Sequence, residues 1–255
     1  MDGTDTLFNL HGKLALVTGA SRGLGRAIAM GLSGRGARLA LMARSDDDLQ
    51  EVCSKAPGAA AAFPVDLSST QDVREAYRAV RDSVGPPDIL VNCAGTTVRG
   101  PAVDLCLADW QRVMTVNLES ALLLSQLLAK DLISGKRGGK ILNICSLLSG
   151  RARPTIPAYT VSKTGLLGLT RSLAVEWMKH GIAVNAIGPG YFETEMTAPL
   201  KSRTEFDHWV CERVPAGRWG QPRDIVGSAI FFCSPASDFV TGQILYVDGG
   251  WMAAL

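Results

Sequence analysis

Tyr159 and Lys163 stand four positions apart in a tract that keeps helical spacing from Pro157 to Lys179. Residues i and i+4 share one face of an α-helix, so a phenol and an ammonium can address the same small volume. A free phenol ionises near ~10 and is a poor proton shuttle at neutral pH, but an adjacent ammonium favours the phenolate and brings that value down. A tyrosine tuned in this way can give a proton to an oxygen on carbon, or take one from it. Tyr and Lys one turn apart also arise on solvated helix faces, so the pair gains meaning only from the elements that position it.

Those elements alternate. Lys13 to Thr18 is a short apolar run that ends in a glycine-rich turn, after which Ala27, Ile28, Met30 and Leu32 recur at helical spacing. Strands are predicted at Arg38–Ala43, Ala60–Val65, Asp88–Val91, Lys140–Ile144, Ile182–Ile187 and Ile244–Val247, with helices at Thr70–Val84, Asp109–Asp131, Pro157–Lys179 and Asp224–Cys233. Strand and helix in alternation predict an α/β fold: a Rossmann-type doubly wound parallel sheet of about seven strands with helices on both faces. No linker composition divides the chain, so the expectation is one domain over residues 1–255, with polar and aromatic residues 190–220 forming a substrate loop or lid.

The turn after the first strand reads Gly19-Ala20-Ser21-Arg22-Gly23-Leu24-Gly25. Glycines there let the backbone turn tightly and approach a ligand, while the helix N-terminus offers free N–H groups and a positive dipole to a pyrophosphate. The second strand ends Ala43-Arg44-Ser45, where an acid would hold ribose hydroxyls and an arginine can accept a 2′-phosphate. Arg44, with Arg22 from the turn, therefore favours NADP(H) over NAD(H). Asp46, Asp47 and Asp48 have a local explanation, as the first turn of a helix capped by Ser45.

The whole composition fits a small-molecule enzyme. The 255 residues are 47% hydrophobic and 20% charged with a net charge of +2, which provides for a sizeable core and offers no basic tract for nucleic acid. Six cysteines without a C-x-x-C and three scattered histidines indicate neither a metal site nor a disulfide framework. Residues 1–5 lack the features of a secretory signal and no apolar stretch is long enough to span a bilayer, so the expected compartment is the cytoplasm, with no membrane partner.

Thr18 to Gly25, Asn92-Cys93-Ala94-Gly95, Asn117, Ser146, Tyr159-x-x-x-Lys163 and Pro189-Gly190 follow the order and spacing of the short-chain dehydrogenase/reductase family, which the chain resembles from about Leu10 to Trp251. The resemblance implies a catalytic tetrad of Asn117, Ser146, Tyr159 and Lys163. In it Ser146 holds a substrate carbonyl, Tyr159 exchanges the proton, Lys163 tunes the tyrosine and binds the nicotinamide ribose, and Asn117 holds a water. It further implies that Asp66 and Leu67 flank the adenine, that Asn92, Ala94 and Gly95 line the adenosine ribose, and that Phe192 and Thr194, after Pro189 and Gly190, contact the carboxamide. Cys93 departs from the commoner asparagine there and is expected only to pack. A homotetramer is implied too, with Leu122, Leu123, Leu166, Leu167 and Leu169 as candidates for its interfaces that can equally face the core.

On the substrate side, residues 189–196 and 217–220 resemble gluconate 5-dehydrogenase and related sugar-acid dehydrogenases. Arg99, Arg151 and Arg153, with Tyr191, lie in loops after strands where a guanidinium fork can clamp a carboxylate. A 3-oxoacyl-[acyl-carrier-protein] reductase would use the same core and the same arginines, and a non-catalytic dinucleotide-binding sensor would need the glycine turn without the tetrad.

Overall fold

A computed structural model describes residues 4–254. Helix α1 (Thr4–Leu7) leads into β1 (Leu14–Thr18), α2 (Gly23–Ser33), β2 (Arg38–Ala43), α3 (Asp46–Lys55), β3 (Ala60–Pro64), α4 (Thr70–Val84) and β4 (Ile89–Asn92). The second half runs α5 (Leu107–Met114), α6 (Ser120–Ser134), β5 (Gly139–Ile144), α7 (Pro157–Trp177), β6 (Ile182–Pro189), α8 (Ala198–Lys201), α9 (Thr204–Arg213), α10 (Val226–Cys233) and β7 (Ile244–Val247). The strands form one sheet in the order β3-β2-β1-β4-β5-β6-β7, and every pairing is parallel. The order reverses between β1 and β4, which opens a crevice at the carboxyl ends of those strands.

The predicted α/β sheet is thus present, and its central strands β1, β4 and β6 are buried along their whole length because both faces are covered. Alternation along β1 divides its side chains between two cores: Ala15 and Val17 pack with α2, α3 and α10, and Leu14 and Leu16 pack with α4, α6 and α7. Leu16 is fully buried. Leu16→Ala is expected to lower the unfolding free energy by about 2–5 kcal/mol, read as a lower urea midpoint with an unchanged slope.

Three local differences from the sequence reading have physical causes. The helix expected from Asp109 begins two residues earlier, because Cys106 caps it, its Sγ accepting from the Asp109 N–H at 3.4 Å. The same tract is interrupted by a π-turn at Thr115–Glu119, which periodicity alone does not reveal. Of the leucines read as interface candidates, Leu123, Leu166 and Leu167 are buried within the chain's own core, whereas Val103, Leu107, Ile133, Val161 and Val175 are exposed apolar side chains of the same stretch of elements. Ser45 caps α3 as expected, accepting from the Asp48 N–H at 3.3 Å.

Candidate active site

The glycine turn is held at the crevice by Thr18, the last residue of β1. Its hydroxyl accepts from the N–H groups of Cys93 (3.0 Å) and Ala94 (3.1 Å) and donates to the Val91 carbonyl (3.4 Å), fastening the ends of β1 and β4 together. Gly19 and Gly23 have φ of +65° and +55°, which favour glycine. A Cβ on Gly19 would lie 2.9 Å from Ala94 Cα, and one on Gly25 would lie 2.2 Å from the Gly19 carbonyl oxygen. No side chain caps α2, so its first N–H groups stand open at the strand ends, and the Ser21 hydroxyl has no partner among the described residues. Such a cradle of bare backbone and uncapped helix fits the pyrophosphate of a dinucleotide.

The remaining residues expected at a dinucleotide divide into those whose side chains face the crevice and those that can offer only main chain. Arg44 is exposed at the end of β2, where its charge acts on Asp66. The Asp66 carboxyl is held below the usual carboxylate range, first by the Ser68 N–H that it accepts at 2.9 Å. The Arg22 guanidinium pairs with Glu195 at 2.7 Å, with both groups exposed. Leu67 and Phe192 are buried in the two cores, and Asn92 donates to Asn143 (2.8 Å) and Ser125 (3.3 Å) inside the sheet. Thr194 lies against Gly23, and Gly190 passes so close to Asp248 that a Cβ would meet its Cα at 2.7 Å. Burial pushes the Cys93 thiol up to about 12, so it packs as an inert small residue.

Helix α7 carries the pair that could move a proton. Pro157 opens it, and Tyr159 and Lys163 follow on one face, with Lys163 Nζ 5.8 Å from the Tyr159 ring centroid. Lys163 is 3% exposed, and a charge so buried needs partners; Nζ donates to the Ile144 carbonyl at 2.6 Å, and Ser149 Oγ donates to the Lys163 carbonyl at 2.8 Å. Ser146, two residues beyond β5, accepts the Leu148 N–H at 3.2 Å, which leaves its own O–H proton to donate elsewhere. The Tyr159 hydroxyl has no hydrogen-bond partner among the described residues.

Asn117 sits in the π-turn and is buried. Its Oδ1 accepts from the Thr96 N–H at 2.7 Å, and its Nδ2 donates to the Thr96 carbonyl (2.9 Å) and to Ser162 Oγ (3.0 Å). Both amide protons are therefore used within the protein, and only Oδ1 keeps a lone pair. That oxygen and Lys163 Nζ border one space over Gly95, 3.5 and 3.6 Å from where a Cβ would stand. Thr96 and Ser162 were not legible as site residues; Thr18 was legible as the first residue of the glycine-turn motif, but its hold on β4 was not.

Two of the three loop arginines meet the tyrosines. The pKa of Arg99 is pushed down by burial and by the charge of Arg153, while Tyr191 and Tyr159 act on it in the opposite sense, so these four groups are electrostatic neighbours. Arg153 Nη1 lies 3.4 Å from the Tyr191 hydroxyl. Neither arginine has an acidic partner among the described residues. Arg151 is exposed and acts instead on Tyr246 of β7. Among the described residues no three His, Cys, Asp or Glu side chains converge on a possible metal position, and no helix is long and apolar enough to cross a membrane.

A switch-point crevice with a phosphate cradle on one side and a tyrosine–lysine pair on the other defines a nicotinamide-dinucleotide-dependent oxidoreductase. Comparison with known proteins makes this specific. A family model described as enoyl-(acyl carrier protein) reductase matches residues 19–252. Gluconate 5-dehydrogenase of Gluconobacter oxydans is 43% identical over 252 residues, with 98% of each chain covered. A 2-dehydro-3-deoxy-D-gluconate 5-dehydrogenase of Formosa agariphila is 39% identical over 254 residues, covering 98% of this chain and 96% of its own. The structure of a gluconate 5-dehydrogenase from Burkholderia cenocepacia, in complex with NADP and tartrate, superposes with a TM-score of 0.94 at 40% identity, covering 99% of this chain and all (100%) of that one. The chain belongs to the short-chain dehydrogenase/reductase family, and within it is similar to the gluconate 5-dehydrogenases.

Proposed function

We propose that the protein interconverts a ketone and a secondary alcohol on a sugar acid, with NADP(H) as its cofactor. The observation that carries the substrate class is the pair Arg99 and Arg153, two guanidiniums without acidic partners beside Tyr159 and Tyr191. Like charges held together repel, and a carboxylate between them removes that repulsion while accepting bidentate hydrogen bonds. The relatives support the same reading, since those named above act on gluconate or a deoxy-gluconate derivative.

NADP(H), when bound, supplies or accepts the hydride at the reacting carbon. Tyr159 gives its phenolic proton to the ketone oxygen in reduction and takes it back in oxidation. Ser146 donates its free O–H to the same oxygen, which orients the carbonyl and stabilises negative charge as it develops there. Lys163, fixed by Ile144, places a positive charge beneath the Tyr159 ring and holds a ribose hydroxyl. A water in the space over Gly95 would join Asn117 Oδ1 to Lys163 Nζ and lead the proton toward solvent. Arg44 is the residue for the 2′-phosphate, and Arg22 joins it by exchanging Glu195, an exposed partner that holds it weakly. The segment 190–220, with α8 and α9, covers the substrate.

The test is a screen of the purified enzyme in both directions with NADP(H) and NAD(H). Rapid turnover of 5-keto-D-gluconate or D-gluconate with NADP(H), against slow turnover of neutral polyols and of acetoacetyl thioesters, is expected. Preference for the thioester would identify a 3-oxoacyl reductase instead, tighter binding of NAD(H) would overturn the cofactor assignment, and binding without any turnover would leave a sensor.

A further inference from the structure

Arg153 comes from the loop after β5, yet the groups that orient its guanidinium belong to the segment covering the crevice. Its Cζ lies 5.1 Å from the centroid of Phe206 on α9, and its Nη1 lies 3.4 Å from the Tyr191 hydroxyl. Tyr191 is itself packed edge-on by Phe206 (5.7 Å) and Trp219 (5.5 Å), and by Trp251 from the C-terminal segment at 5.1 Å. Trp219 ties α9 into this cluster, its indole N–H donating to Asp207 at 2.7 Å.

A guanidinium without an acidic partner rotates among several arrangements unless something weaker selects one, and an aromatic face within roughly 6 Å does so by attraction to its quadrupole. A guanidinium held over a ring in this way still has N–H donors to offer a planar anion. We infer that Phe206 is a positioning residue that determines specificity: its ring holds Arg153 in the orientation that meets the substrate carboxylate, and the anion subsite is complete only with α9 docked. This inference rests on the sugar-acid reading above. It assigns α9 a part in choosing the substrate beyond covering it, because the core supplies the charge and the covering helix supplies its aim.

Three variants of the full chain test it: Phe206→Leu, which keeps an apolar side chain without the π face, Phe206→Tyr, which restores the face, and Arg153→Ala. Phe206→Leu is expected to raise KM for 5-keto-D-gluconate about 10-fold with kcat unchanged, and Phe206→Tyr to return KM to that of the wild type. Titration of the tryptophan emission with D-gluconate, which involves no turnover, is expected to show the same loss and recovery of affinity. The inference is overturned if Phe206→Leu leaves KM and the gluconate titration unchanged while Arg153→Ala weakens both, or if Phe206→Tyr behaves like Phe206→Leu. If Arg153→Ala weakens neither, the sugar-acid reading itself falls, and this inference with it.

Discussion

Phe in place of Tyr159 is expected to lower kcat by about 10³-fold while the nucleotide still binds. The substitution removes one oxygen and leaves the ring, so the packing of α7 and the 5.8 Å approach of Lys163 Nζ to the ring centroid are retained. What is lost is the hydroxyl of α7 that has no hydrogen-bond partner among the described residues. Ser146 cannot replace it, because an alcohol is too weak an acid to protonate a ketone oxygen at neutral pH; its contribution is to hold and polarise that oxygen. Loss of NADPH absorbance in the presence of 5-keto-D-gluconate measures turnover, and quenching of protein fluorescence by NADPH measures binding. A variant that turns over at the rate of the wild type would remove Tyr159 from the mechanism. One that no longer binds nucleotide would give the residue a structural role instead.

Gly25→Ala is the second large effect, and it acts at the opposite end of the crevice. The added methyl carbon would lie 2.2 Å from the Gly19 carbonyl oxygen and 2.8 Å from its carbonyl carbon. Both are backbone atoms, so relief requires the turn to move away from the start of α2, and with it the N–H groups that would meet the pyrophosphate. Losing two such charge-assisted hydrogen bonds corresponds to a rise in Kd of about 10²–10³-fold for either nucleotide. Isothermal titration with NADPH and NADH reads this directly. Equal losses for both place the defect at the pyrophosphate, whereas a loss confined to NADPH would place it at the 2′-phosphate and contradict this account. Far-UV circular dichroism should remain that of the wild type, since the nearest atoms that the added methyl meets belong to the turn, at Gly19 and Ala20.

The two sides of the crevice differ in how openly the sequence displays them. On the cofactor side the signals are local. Gly19, Gly23 and Gly25 are needed because one short turn must bend and leave room, and the residues that demand this, Ala94 apart, are neighbours in the chain. Tyr159 and Lys163 are local for the same reason, being joined by a single helical turn. Strand boundaries came out within a residue or two because each strand is a continuous apolar run between turns, as at Arg38–Ala43 and Ile244–Val247.

Pairings across the sheet carry no such signature. That Lys163 donates to a main-chain carbonyl of β5, that Asn117 spends both amide protons on Thr96 and Ser162, and that Asn92 turns inward to Asn143 all depend on which elements lie side by side. Arg22 was assigned to a phosphate from its position in the turn, yet its ion partner lies 173 residues further along the chain. The three loop arginines look equivalent in sequence, but only Arg99 and Arg153 are neighbours of each other and of Tyr191, whereas Arg151 acts on Tyr246 of β7. Local sequence can specify a turn, a cap or a face of a helix, where the interacting atoms are a few bonds apart. The cluster of Arg153, Tyr191 and Phe206, drawn from the loops after β5 and β6 and from α9, exists only after the sheet order and the docking of α9 have brought distant residues together, and tertiary packing alone decides that.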